Sequence, residues 1–150
     1  MTELHEMSTR QLLGDEGKRS CVYNDSLGFA TIGVGRLVDK RKPGAGLRDV
    51  EIVFMLQNDV NDRVDALQKA FQWFAELNTA RQGVLVNMSF QLGMEGLMGF
   101  KNTLRMIASK DFEGAATGLM KSVWATQTPQ RAQRLAQQML TGEWVFEAGV

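Results

Sequence analysis

Residues 15–37 read Asp15-Glu16-Gly17-Lys18-Arg19-Ser20-Cys21-Val22-Tyr23-Asn24-Asp25-Ser26-Leu27-Gly28-Phe29-Ala30-Thr31-Ile32-Gly33-Val34-Gly35-Arg36-Leu37, and across them a helical pattern gives way to a strand pattern. Just upstream, Ser8 and Gln11 fit a capping box, and Met7 with Leu12 stands at hydrophobic-staple spacing. This predicts a helix from about Thr9 to Asp15 or Glu16, stopped by Gly17. Beyond it, Cys21, Val22 and Tyr23, then Phe29, Thr31, Ile32, Val34 and Leu37, are strand-type residues. They flank the turn cluster Asn24-Asp25-Ser26-Leu27-Gly28, so the stretch reads as a hairpin with room for a third short strand.

Outward from there the chain is helical. Residues 39–46, with Pro43, Gly44 and Gly46, form a polar loop. Val50, Val53, Phe54, Val60, Val64 and Leu67 then recur at helical spacing and predict one helix from about Asp49 to Ala70. At about 1.5 Å per residue it would span roughly 30 Å, enough to bridge two lobes. Asn78 suits the cap of a helix whose apolar run is Val84, Leu85, Val86, Met88, Phe90 and Leu92, broken by Gly93, Gly96 and Gly99. A short helix is expected near Thr103–Ile107, another from Asp111 to about Trp124, and a last one opened by Thr128-Pro129 and stopped by Gly142. The class is therefore α+β: one domain over 1–150, with a helix and hairpin lobe at 1–48, a linker helix at 49–70 and a helical lobe at 71–150.

Composition narrows the function. An apolar content of 44% over 150 residues supports a folded core without a disulfide or metal. Cys21 is alone and is expected to be a buried thiol; His5 is alone in a polar stretch and is expected to be solvated. No Cys/His cluster offers metal ligands, and no cofactor motif is present. Gly33-Val34-Gly35 lacks the third glycine and the helix start of a phosphate loop. The segment Met1–Met7 carries acids where a signal peptide carries bases, so cytoplasmic synthesis without self-export is expected. The formal net charge is zero, yet Lys101, Arg105, Lys110, Lys121, Arg131 and Arg134 outnumber Asp111 and Glu113 between Leu97 and Gly142. That excess suits an anionic polymer or a solvated face, and is too dilute for nucleic acid. Most of the nine methionines fall at apolar helical positions, Trp73, Trp124 and Trp144 fall in helical segments, and these residues are expected to fill the core.

Glu16 at a helix end and Asp25 in a hairpin turn place two carboxyl groups on facing elements. Hydrolysis of a glycosidic bond requires such a pair: an acid that donates a proton and a carboxylate opposite it. The spacing by itself is equally that of a solvated helix end and an ordinary turn former.

The surrounding residues resolve the choice. Glu16, eight residues, Asp25, five residues, Thr31, then Ile32-Gly33-Val34-Gly35 closely resembles the active-site segment of the T-even phage lysozymes, glycoside hydrolase family 24. Asn87-Met88-Ser89-Phe90-Gln91-Leu92-Gly93 resembles that family's central helix, and Gly99–Met106 its next helix start. Residues 121–132 and Thr141-Gly142-Glu143-Trp144 resemble its late signatures, in the same order. The resemblance implies a lysozyme-like α+β fold that cuts the β-1,4 bond between N-acetylmuramic acid and N-acetylglucosamine in peptidoglycan. Glu16 would be the proton donor, Asp25 its partner across the cleft, and Thr31 the holder of the attacking water. Arg131 would pair with Glu16 and Arg134 with Asp15, while Leu37, Phe90 and Thr103 would contact substrate. It further implies no metal or cofactor. A monomer is the simplest expectation, and the absence of an N-terminal membrane anchor favours a free endolysin acting in the periplasm after holin-mediated release from the host cytoplasm over a tail-associated lysozyme.

The sequence departs from that family in places. The loop after Val38 is shorter, Gly118 replaces a substrate-contacting asparagine, and Arg36 replaces a histidine whose aspartate partner corresponds to Asp59, so an Arg36–Asp59 ion pair joining the sheet lobe to the long helix is expected. The alternative is a non-catalytic cell-wall-binding or tail structural module of the same fold. Retention of both carboxylates favours the enzyme.

Overall fold

The computed structural model describes residues 2–24, 28, 30–37 and 49–148. In chain order these form α1 (Glu3–Glu16), β1 (Arg19–Asn24), β2 (Ala30–Gly33), β3 (Arg36–Leu37) and α2 (Asp49–Ala70). A 3-10 turn (Gln72–Glu76) leads to α3 (Thr79–Met98), α4 (Lys101–Ala108), α5 (Phe112–Met120), α6 (Val123–Gln127) and α7 (Pro129–Thr141). The three strands make one antiparallel sheet in the order β1-β2-β3, with Tyr23 opposite Thr31 and Thr31 opposite Leu37. A small sheet followed by a helical remainder is the α+β lysozyme-like arrangement. No described helix is long and apolar enough to cross a membrane.

α3 is the hub. Its residues Gly83 to Ser89 are all buried, because α1, α2 and α7 pack around it. Asn78 starts it by accepting from Arg81 N at 3.0 Å. α7 lies against α5, and its end is closed by Gly142 in the left-handed conformation, φ 73°. Arg81 reaches across to the same end, donating from Nε to Met139 O at 2.9 Å and from Nη2 to Leu140 O at 3.1 Å. Burial lowers its guanidinium below the ordinary arginine range.

Several elements differ from expectation. α1 begins at Glu3, so Ser8 and Thr9 are buried inside it and cap nothing. Leu4, Ser8, Gln11 and Leu12 form one buried face, and burying Leu4 carries the helix past the apparent capping box. In α2 the buried stripe is Ile52, Leu56, Val60, Val64 and Leu67, whereas Val50 and Phe54 are 67% and 64% exposed. α3 continues past Gly93, which kinks it at φ 72°, and runs on through Gly96. The helix expected from Asp111 to Trp124 is two: Ser122 accepts from Ala125 N at 3.1 Å and starts α6. Thr128 does not cap α7 with its side chain; its hydroxyl donates to Trp124 O instead. Cys21 is exposed, because β1 is an edge strand and its first half is uncovered.

The aromatic residues pack largely as expected. Trp124 is buried with its ring edge-on to Phe100, and Trp73 stacks on Phe71. Trp144 is half-buried over α3, where a β-carbon placed on Gly83 would lie 2.3 Å from its ring.

Candidate active site

The last two residues of α1 are both acids, where the negative end of the helix dipole disfavours them. Two arginines one turn apart on α7 supply the compensation. Arg131 Nη1 donates to Glu16 Oε1 at 2.7 Å, and Arg134 Nη2 pairs with Asp15 Oδ1. The four formal charges sum to zero, which makes their burial tolerable. The Asp15 side chain is only 1% exposed and that of Glu16 is 21% exposed. Thus the first acid is sealed into the protein and the second keeps one edge open.

Asn87 completes this cluster from α3. It is fully buried, its Nδ2 donates to Asp15 Oδ2 at 2.7 Å, and its Oδ1 accepts from Arg131 Nε at 2.8 Å. Arg131 Nε also stands 3.5 Å from Asp15 Oδ2. Glu16 is approached from the sheet side by Gly35, whose φ of +74° lies in the left-handed region. A β-carbon built there would lie 3.2 Å from Glu16 Oε2.

Glu16 opens onto a cleft of about 550 Å³ lined also by Asp15, Gln91, Thr128, Gln130, Arg131, Arg134 and Glu147. Gln91 is held there by Trp124, whose Nε1 donates to its Oε1 at 2.8 Å. The segment after α7 is anchored by Gln11 Nε2, which donates to Val145 O at 3.0 Å, and it brings Glu147 to the cleft wall.

Of the residues singled out from sequence, Glu16, Asp15, Arg131 and Arg134 stand together. Thr31 is 2% exposed in the middle strand. Asp25 lies outside the described residues, as do the side chains of Leu37 and Arg36, and with the latter the expected pairing with Asp59. Phe90 is partly buried on α3 and Thr103 is buried on α4; neither lines the cleft beside Glu16. Thr103 instead faces α5, where a β-carbon on Gly118 would lie 2.8 Å from its hydroxyl. Of the six basic residues counted in the C-terminal half, Arg131 and Arg134 are consumed in this cluster. Lys101, Arg105, Lys110 and Lys121 remain exposed.

Sequence reasoning missed Asn87, Gln91 and Glu147 as site residues. Asn87 carried a usable signal. A polar side chain inside the apolar run Val84–Phe90 must find buried hydrogen-bonding partners, and for Asn87 these are Asp15 and Arg131. Glu147 carried none, since its position depends on how the last segment folds back.

A family model described as phage lysozyme matches residues 14–139. The chain is 28% identical to "Probable T4-type lysozyme 2" of Dictyostelium discoideum, over 85% of this chain and 90% of that protein. It is 30% identical to "Pre-baseplate central spike protein Gp5" of Enterobacteria phage T4, over 91% of this chain but 28% of that protein. It is 26% identical to "Peptidoglycan hydrolase gp36" of Pseudomonas phage phiKMV, over 87% of this chain and 15% of that protein.

Proposed function

This chain belongs to the phage lysozyme family, and from that premise we propose that it hydrolyses the β-1,4 bond between N-acetylmuramic acid and N-acetylglucosamine in peptidoglycan, with inversion, in phage-driven lysis of the host. The family and the named peptidoglycan hydrolase of phage phiKMV support cell-wall hydrolysis as the class of reaction. The observation that carries the reading is Glu16: a carboxyl group half-enclosed at the wall of a polar cleft, with one oxygen held by Arg131. Because Oε1 is occupied by that guanidinium, we assign the transferable proton to Oε2, on the side of Gly35. From there it passes to the bridging oxygen as the glycosidic bond breaks.

In this reading Asp25 is the base and electrostatic partner across the cleft, and Thr31 helps hold the water that attacks the sugar carbon. A neutral hydroxyl is a poor nucleophile, which is why Thr31 is given the water and not the sugar. Leu37, Phe90 and Thr103 are assigned to substrate contact on the family resemblance alone. The protein is proposed to act as a monomer, made in the host cytoplasm and acting on the wall after release through a holin.

The test is a turbidity assay on permeabilised Gram-negative cells. The wild type clears the suspension, while Glu16→Gln, which keeps shape and removes the proton, loses activity by several orders of magnitude. Clearing by that variant at nearly the wild-type rate overturns the assignment.

The similarity to the spike protein Gp5 is compatible with a second reading, a module built into a larger phage assembly that binds wall without turnover. A wild-type protein that sediments with peptidoglycan yet releases no reducing ends supports that reading over the first.

A further inference from the structure

We propose that Asn87 is a positioning residue for Glu16, acting through Arg131; this rests on the reading of Glu16 as proton donor. Arg131 is 115 residues from Glu16 in sequence and reaches it with one nitrogen, Nη1. A planar guanidinium held at one nitrogen alone still pivots about that contact. The second hold comes from Asn87 Oδ1 on Nε at 2.8 Å, and two bonds on different edges of the fork fix its plane. Among the described residues no hydrogen bond holds the third nitrogen, Nη2, although it is buried. Orientation therefore depends on Asn87 and Glu16 together, with Asp15 Oδ2 more distant at 3.5 Å.

The amide is suited to this place for a reason of polarity. A guanidinium only donates and an ionised carboxylate only accepts. The group between Arg131 Nε and Asp15 Oδ2 must therefore accept on one side and donate on the other. Asn87 does both, at 2.8 Å and 2.7 Å, with no charge of its own to upset the neutral balance of two acids and two arginines. Its own orientation is fixed by the same pair, since a flipped amide would set N–H against N–H and oxygen against oxygen. α3 is buried on all sides at this level, so the hold is rigid.

The consequence is a division of labour. Arg131 keeps Glu16 Oε1 engaged and leaves Oε2 aimed at the substrate, and Asn87 keeps Arg131 from swinging away. Losing that hold misplaces the donor oxygen by a fraction of a hydrogen-bond length, with little effect on where substrate binds.

The experiment is a double-mutant cycle on the full chain with soluble peptidoglycan fragments, measuring kcat, KM and Tm for Asn87→Leu, Arg131→Gln and the pair. Asn87→Leu is expected to lower kcat by roughly ten- to a hundredfold, the scale of a small misplacement, with KM little changed. In the Arg131→Gln background it causes no further loss of kcat, although it still lowers Tm. A normal kcat at temperatures well below Tm, or an undiminished loss in the Arg131→Gln background, overturns the proposal. Should Asn87→Leu fail to fold, Asn87→Asp decides. Two carboxyls in contact share one proton, so at low pH the new side chain still accepts from Arg131 and donates to Asp15. Its kcat relative to wild type should fall as pH rises, and a ratio independent of pH counts against the proposal. Wild-type turnover and the Glu16→Gln control report separately on the proton-donor reading.

Discussion

Gly35 stands so close to Glu16 that a β-carbon on it would lie 3.2 Å from the carboxyl oxygen Oε2. The turn between β2 and β3 thus touches the working face of the acid, and only a residue without a side chain combines that approach with a φ of +74°. Gly35→Ala should cost about 1–2 kcal/mol from backbone strain. Activity should fall by much more than stability, since the added methyl pushes directly on Oε2. Thermal melting and turbidity clearing, measured side by side, check this. An active variant that is merely less stable would show that Oε2 is not the oxygen that matters.

Asp15 and Glu16 are neighbours with opposite expected behaviour. Asp15→Asn keeps an amide oxygen but removes the negative charge that balances Arg134 and Arg131 in a site where the acid is 1% exposed, and should destabilise by about 3–5 kcal/mol. Glu16→Gln keeps an acceptor for Arg131 at a side chain 21% exposed, and should change stability by roughly 1 kcal/mol or less while abolishing lysis. Chemical denaturation of the two variants separates them.

Gly83 lies beneath Trp144, where a β-carbon would come within 2.3 Å of the indole. Gly83→Ala therefore has to displace the ring, and with it the segment that Gln11 and Gln138 hold at Val145. A loss of about 1–3 kcal/mol is expected, as for overpacking elsewhere. Tryptophan fluorescence should move to longer wavelength in the same variant as Trp144 becomes more exposed.

The stereochemical outcome tests Asp25 and Thr31 together. Inversion places the new hydroxyl on the face opposite the departing sugar, so the first-formed reducing end is the α-anomer, visible by proton NMR before mutarotation. Thr31→Ala should fold normally and lose most activity. An initial β-product, or a sugar trapped covalently on Asp25, is incompatible with water held between the two.

The long-range parts of this site were the harder ones to read. Glu16, Asp15, Arg131 and Arg134 were legible because their motif spacings resemble those of a known family, and the helix α2 because its apolar period extends over many turns. What failed were local rules overruled by packing. Ser8 looks like a cap until Leu4 is buried, and Val50 and Phe54 look like core until Ile52 and Leu56 take the inner face. Gly93 kinks α3 without ending it, because residues on both sides still have a core to cover. Asn87 was hidden for a related reason: its role exists only once α1 and α7 meet on either side of α3.

The contacts of Glu16 with Arg131, and of Gln11 with Gln138 and Val145, also bear on biosynthesis. α1 leaves the ribosome well before α7, but its buried Gln11 is bonded by Gln138 and Val145, and its acid is held by a residue 115 positions later. At about 5–20 residues per second that interval is on the order of ten seconds. A nascent chain therefore leaves Gln11 and Glu16 without these partners for most of its synthesis, and truncation before α7 leaves the charge cluster unfinished. Assembly of the acid site is coupled to the last helix, so a ribosome-bound fragment is an unassembled hydrolase and a target for chaperones or proteases.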